Sequence, residues 1–301
     1  LFAEAMSAGV DTVYLSPVEI ERYGEDAAAI AEGLSEILGI DYETIYDKTQ
    51  NTGSWYEVVA RKIEEDVATA VREFKEDGGY NGVKIEADTK RYYPNGSLAA
   101  HVIGFVGTDN TGLGGIEAKY DKALSGANGY IMRSTTAAGT DMLYTSYEDY
   151  FDAVPGSDIE LTIDSTIQYY VEKHLAQAVE DYDIRSGAAA ICMEVDTGAI
   201  LAMASLGNFD LNDYQTISDE AMQEIDATAS NDEERADMIA AAQQLMWRNK
   251  AISDTYEPGS TFKTASIMVA LEDGKITPDT EVDTGNGIMN MYGSKMRDHN
   301  W

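Results

Sequence analysis

Two nearly unbroken apolar runs, Ala188–Val195 and Ala199–Ser205, meet at the short turn Asp196-Thr197-Gly198. Runs of this length split by so tight a polar turn close into a β-hairpin. Their apolar residues stand at consecutive rather than alternate positions, so both faces of that sheet are expected to be covered. The helices to cover it are written on either side. Asp164 or Ser165 caps a helix that runs to about Tyr182, with Ser165-x-x-Gln168 in capping-box form. Ile159–Ile163 before it alternates as a strand would, and Ser218–Leu245 is acidic, Ala-rich and helical in period. A last helix, Ser260–Glu272, follows Pro258-Gly259, with Phe262, Ile267 and Leu271 placed to bury it against a core.

The upstream half has a different texture. Val10–Leu15 reads as a short strand, and Ser16-Pro17 as a helix start with Pro17 near the first helical position. Asp26–Gly39 is an amphipathic helix, with Ile30, Leu34, Ile37 and Leu38 at helical spacing and Gly39 as its stop. Asp41–Tyr46 can open another short helix. Val58, Val59, Ile63, Val67, Val71 and Phe74 share one face of a helix predicted over Tyr56–Lys75 and ended by Gly78-Gly79. Val83–Ala87 alternates as a strand, and Tyr92–Gly96 is a turn cluster. Gly112, Gly114 and Gly115 are read as tight turns between packed elements, since no Gly-Lys-Ser/Thr follows to make a phosphate loop. Ile116–Leu124 reads as a short helix and Tyr130–Tyr150 as hairpin strands.

The 301 residues suggest about two domains, and Val154-Pro155-Gly156-Ser157 marks a boundary between residues 1–155 and 156–301. The balance of 54 Asp+Glu against 21 Lys+Arg gives a net charge of -33, which argues against a nucleic-acid partner. One cysteine, Cys192, lies in an apolar run and is read as a small buried hydrophobe. His101, His174 and His299 are far apart, without the ligand spacing of a zinc site. No apolar run approaches the ~18 residues that span a bilayer. The start at Leu1 and the end at Trp301, straight after a polar stretch, read as a fragment open at both ends.

The segment with chemistry in it is Glu257-Pro258-Gly259-Ser260-Thr261-Phe262-Lys263. Residues three apart share a helix face, so Ser260 and Lys263 point together from the first turn. A serine hydroxyl must lose its proton to act as a nucleophile. A lysine one turn away can take that proton if its surroundings lower its pKa. The helix N-terminus favours developing negative charge, and the Ser260 backbone N–H can supply one oxyanion-hole donor. Lys263 alone among the lysines has a serine three residues upstream, although a bare Ser-x-x-Lys is a weak signal.

The flanks make it a strong one. Pro258–Lys263 resembles the acylated-serine segment of the penicillin-binding transpeptidases, specifically the class B, monofunctional high-molecular-weight type. Arg248-Asn249-Lys250-Ala251 resembles the family's Arg-Asn-x-Ala approach. Further resemblances run in order along the chain: Arg91-Tyr92-Tyr93-Pro94, Ala100–Gly104, Gly112–Glu117, Tyr120-Asp121 and Leu124-x-Gly126. Leu161–Asp164 with Ile167-Gln168 resembles the start of the transpeptidase domain, Asp196–Met203 its first hairpin, and Phe209-Asp210-x-Asn212 the sequel. Residues 1–90 resemble the family's pedestal only loosely.

The resemblance implies an α+β N-terminal pedestal followed by part of an α/β transpeptidase domain of the serine β-lactamase-like kind, whose central sheet is mainly antiparallel. Without its C-terminal strands, that sheet would keep an unpaired edge. It implies a peptidoglycan D,D-transpeptidase with Ser260 as nucleophile and Lys263 as base, acting on stem peptides, acylated by β-lactams and needing no cofactor or metal. It also implies the extracytoplasmic face of the bacterial membrane, an N-terminal anchor missing from this chain, and a membrane glycan polymerase of the SEDS type as partner. The family's Ser-x-Asn and Lys-Thr/Ser-Gly motifs do not appear after Ser260, so this fragment alone is expected to be inactive. Two other readings stay open: a serine β-lactamase, against which the long upstream region argues, and a non-catalytic scaffold or sensor.

Overall fold

Strand β1 (Met6–Leu15) forms the middle of a three-stranded antiparallel sheet, flanked by β2 (Glu57–Ile63) and β3 (Val83–Tyr92). This is one element of a computed structural model that describes residues 3–127, 129–133, 148–184, 187–281, 287–291 and 293–297. The chain divides into two compact units, Leu1–Ser253 and Asp254–Trp301.

The helices beside the first sheet begin where their caps dictate. Pro17 opens α1 (Pro17–Tyr23). The Asp26 carboxylate accepts from the Ala28 and Ala29 amides at 3.0 and 3.1 Å to start α2 (Ala27–Leu38), which stops at Gly39 with φ 67°. Asp41 does the same for α3 (Tyr42–Thr49) through the Thr44 amide. These helices and α4 (Glu65–Gly78) bury Ile30, Leu34, Ile45 and Val71 against Val13, Leu15 and Val83 of the sheet. Full burial of each such aliphatic side chain contributes about 1.5–3 kcal/mol.

One expectation fails in this lobe. Residues 56–75 are not one helix: Glu57–Ile63 is β2, and the helix begins only at Glu65. The apolar spacing is compatible with both forms. The decision falls to β1, whose backbone pairs Val13 with Ala60 and Tyr14 with Val58, a partnership no local window contains. Lys62, at φ 55°, sits inside β2 where the register shifts between the Val13–Ala60 and Asp11–Ile63 pairs, and acidic Glu65 and Asp66 then suit a helix N-terminus. Strand β3 is also longer than the Val83–Ala87 alternation suggests.

The glycine-rich region holds α5 (Ala100–Ile103), α6 (Gly115–Lys119) and α7 (Asp121–Leu124), so the single helix expected over Ile116–Leu124 breaks at Tyr120. The turns there are tight as read. A Cβ on Gly115, whose φ is +53°, would lie 2.4 Å from the Val102 carbonyl oxygen. Strands β4 (Tyr130–Arg133) and β5 (Glu148–Phe151) pair antiparallel; residues 134–147 of the expected hairpin lie outside the described residues.

Next come α8 (Ser165–Asp181), capped by Asp164, and the hairpin of β6 (Ala189–Met193) and β7 (Ile200–Ser205). The hairpin forms as expected, but its faces are not both covered. Along β6 exposed and half-buried residues alternate, with Ile191 and Met193 about half exposed and Cys192 partly exposed rather than buried. Among the described residues β6 pairs only with β7. Ile159–Ile163 makes no strand; only Thr162 Oγ1 and the Asp164 amide reach β7, at the Ile200 and Leu201 carbonyls. The acidic region is two helices, α9 (Asp219–Thr228) and α10 (Asp232–Trp247), followed by α11 (Lys250–Ser253).

The second unit holds α12 (Phe262–Glu272) and the hairpin β8 (Ile288–Met291) and β9 (Ser294–Arg297). Phe262, Ile267 and Leu271 do not bury α12: they are 60%, 54% and 39% exposed. One helix and one hairpin offer too little surface to cover them. Among the described residues no helix is long and apolar enough to cross a membrane.

Candidate active site

Pro258, at φ −70°, and Gly259, at φ +55°, turn the chain sharply into a 3-10 turn, Gly259–Thr261, that runs directly into α12. The Thr261 hydroxyl donates to the Pro258 carbonyl at 2.5 Å and its amide to the same oxygen at 3.3 Å, which fixes the turn. Ser260 therefore sits in the last turn before the helix and Lys263 at the helix's second residue, both exposed. The helical path is continuous between them, so the three-residue spacing keeps them on one side. No hydrogen bond joins the two side chains among the described residues.

The other signature segments lie in the first unit, and the structure brings nearly all of them into one knot. Arg91 Nε donates to Glu117 Oε1 at 2.8 Å, joining the Arg-x-Tyr-Pro segment to the Gly-rich one. Asn212 clamps Tyr93 on both sides: its Oδ1 accepts from the Tyr93 amide at 3.0 Å and its Nδ2 donates to the Tyr93 carbonyl at 2.9 Å. Burial pushes the Tyr93 phenol well above the ordinary tyrosine range. Phe105 fills the centre, stacked on Tyr214 and edge-on to Phe209, with Trp247 beside it.

Sequence reasoning named Gln168 and Asn249 only as parts of motifs, without their roles in this knot, and missed Glu172. Gln168 is not part of a capping box. It is completely buried, donates to the Met203 carbonyl at 2.9 Å and accepts from the Met203 amide at 2.8 Å, as a neighbouring strand would. Glu172 accepts from the Ala99 amide, Gln168 Nε2 and Asn208 Nδ2, and burial raises its pKa above the ordinary carboxylate value. Ala99 itself has φ 54°, so that carboxylate holds a strained residue. Asn249 is buried and starts α11, with Oδ1 accepting from the Ala251 amide at 3.1 Å. The usable signal for these was polarity inside otherwise apolar segments. A cleft of about 750 Å³ is lined by Asn95, Leu98, Tyr169, Glu172 and Leu206 among others and does not include Ser260 or Lys263.

In order and in wiring, these elements define an α+β lobe braced against the first helix and hairpin of an α/β domain. Residues 5–161 match the penicillin-binding protein dimerisation domain, and residues 188–300 the penicillin binding protein transpeptidase domain. The chain belongs to the penicillin-binding protein family, in the class B type that carries the first domain ahead of the second. Among curated relatives it is 30% identical over 295 residues to Stage V sporulation protein D of Bacillus subtilis, covering 97% of this chain and 40% of the relative. It is 28% identical over 289 residues to peptidoglycan D,D-transpeptidase FtsI of Escherichia coli, covering 93% and 42%. The chain thus spans about two fifths of the length of these relatives. A peptidoglycan synthetase from Bifidobacterium adolescentis superimposes with a TM-score of 0.60 at 25% identity, over 98% of this chain and 52% of that one. The fold is also that of a penicillin-binding protein from Helicobacter pylori solved in complex with MreC, with a TM-score of 0.64 at 22% identity, over 99% and 54%.

Proposed function

We propose that this chain carries the nucleophile of a peptidoglycan D,D-transpeptidase, with Ser260 as the acylated residue and Lys263 as its base. The observation that carries the reading is the Pro-Gly turn that delivers Ser260 and Lys263 at the head of α12, inside the residues matched by the transpeptidase domain. Ser260 Oγ attacks the penultimate D-alanine carbonyl of a stem peptide while Lys263 Nζ takes the hydroxyl proton. The tetrahedral oxyanion is held by the Ser260 backbone N–H and a second donor elsewhere in the full protein. Collapse breaks the peptide bond, and the proton passes to the departing D-alanine amine. An amine of a neighbouring stem then attacks the ester, freeing Ser260 and completing the cross-link. β-Lactams acylate the same hydroxyl.

The names of the relatives support this substrate class. The match of residues 5–161 to a dimerisation domain weighs against a β-lactamase. We further place the functional boundary near residue 155, the protein at the extracytoplasmic face of the membrane on an N-terminal anchor, and a glycan polymerase of the SEDS type as partner. Fluorescent penicillin on the full-length protein tests the site: wild type labels covalently, while Ser260→Ala and Lys263→Ala do not, at unchanged folding. Equal labelling of Ser260→Ala refutes the nucleophile. Absence of labelling in the wild type favours the scaffold reading.

A further inference from the structure

Gly259 stands at φ +55° in the turn that leads into α12. Glycine enters that left-handed region about as readily as negative φ, so it permits this turn without selecting it. The hold must come from its neighbours. The main chain supplies little of it: the Thr261 amide reaches the Pro258 carbonyl oxygen at 3.3 Å, longer than an ordinary N–H···O bond. The Thr261 hydroxyl donates to the same oxygen at 2.5 Å and closes a ring that contains Gly259 and Ser260. The Phe262 amide, next along, donates to the Gly259 carbonyl and carries the turn into the helix. Among the described residues no acceptor takes the Ser260 N–H. The hydroxyl tie therefore fixes the backbone on either side of Ser260 while its amide stays open to a ligand oxygen.

We propose that Thr261 is a positioning residue for acylation: its hydroxyl, tied to the Pro258 carbonyl, holds Gly259 in the left-handed conformation and so sets the direction of the Ser260 hydroxyl and N–H relative to Lys263. The proposal rests on the assignment of Ser260 as nucleophile. All of its parts lie within Pro258–Lys263. Rotation about Gly259 swings Ser260 against α12, whose second residue is Lys263. A bond-forming step depends steeply on the placement of the attacking atom, and the same rotation also turns the oxyanion donor that Ser260 supplies. Threonine suits the task because branching at Cβ restricts χ1, which keeps the hydroxyl near the carbonyl at little cost in side-chain freedom.

The test is the acylation of the full-length protein by a fluorescent penicillin at a series of concentrations. Thr261→Val keeps the branched shape and loses the donor; Thr261→Ser keeps the donor and loses the methyl. The saturating acylation rate of T261V is expected to fall about ten- to a hundredfold, with the half-saturating concentration and the melting temperature unchanged, and T261S is expected to keep most of the rate. The proposal is overturned if T261V acylates at the wild-type rate, if T261S is as slow as T261V, or if only the half-saturating concentration moves. Should T261V not fold, Thr261→Ala takes its place against T261S with the same expectations. Ser260→Ala runs in parallel. A wild-type rate for T261V beside an unlabelled Ser260→Ala sinks the tie alone, whereas a labelled Ser260→Ala sinks the nucleophile assignment.

Discussion

Arg91 and Glu117 form an ion pair at 2.8 Å with only 20% and 5% of their side chains exposed. The pair ties the end of β3 to α6. Removing one partner of such a pair strands the other charge in a poor solvent, which typically costs about 3–5 kcal/mol. Glu117→Ala is therefore expected to lower the urea midpoint sharply. The double variant Arg91→Met, Glu117→Leu should recover much of the loss, because two apolar groups leave no unpaired charge. A double variant no better than Glu117→Ala would show that the pair contributes more than mutual neutralisation.

Gln168 makes a second testable link. Gln168→Leu preserves volume but leaves the Met203 amide and carbonyl without partners, at about 1–3 kcal/mol for each main-chain group left unpaired. The melting temperature should fall, and amide exchange at Met203 should quicken. An unchanged melting temperature would mean that water replaces the side chain.

These two links also show where sequence reading stops. The turn at Ser260 was legible because everything it needs, a proline, a glycine and a hydroxyl three residues before an amine, lies within six consecutive residues. The helix starts at Asp26 and Asp41, and a cap at Asp164 or Ser165, were legible for the same reason. Gln168 was misread as a local cap because its real partner, Met203, lies on β7, with β6 in between. Val58 and Val59 were placed on a helix because the partner that makes them a strand is β1. The exposure of Phe262 and Ile267 on α12 reflects what surrounds the helix, which periodicity does not contain.

Glycine usage gives a paired prediction. Gly115→Ala must fit a Cβ 2.4 Å from a carbonyl oxygen at φ +53° and is expected to destabilise by more than about 1 kcal/mol. Gly9→Ala meets nothing within 4 Å, and Gly9 has no positive φ, so its effect should stay within about 0.5 kcal/mol. Chemical denaturation of both variants checks the contrast.

The buried His101, whose Nε2 meets the Met246 carbonyl oxygen at 2.9 Å, predicts a pH dependence. Burial holds the His101 imidazole below its ordinary pKa of 6.5, with Lys250 acting in the same direction and the Met246 contact opposing it. The unfolded chain takes up that proton near 6.5 and the folded chain only at lower pH. Between those values the unfolded state binds more protons, so stability is full above about pH 6.5 and falls as the pH drops towards the folded-state pKa. His101→Gln lacks this component. Melting temperatures measured from about pH 8 to about pH 5 should fall more steeply for wild type than for H101Q. Parallel curves would contradict the buried, neutral imidazole.

The most direct test of the account is to react the full-length protein with a penicillin, digest it and locate the adduct by mass spectrometry. The expected result is a single penicilloyl ester on the peptide that contains Ser260, carried by its hydroxyl. An adduct on any other serine, with Ser260 unmodified, would contradict it.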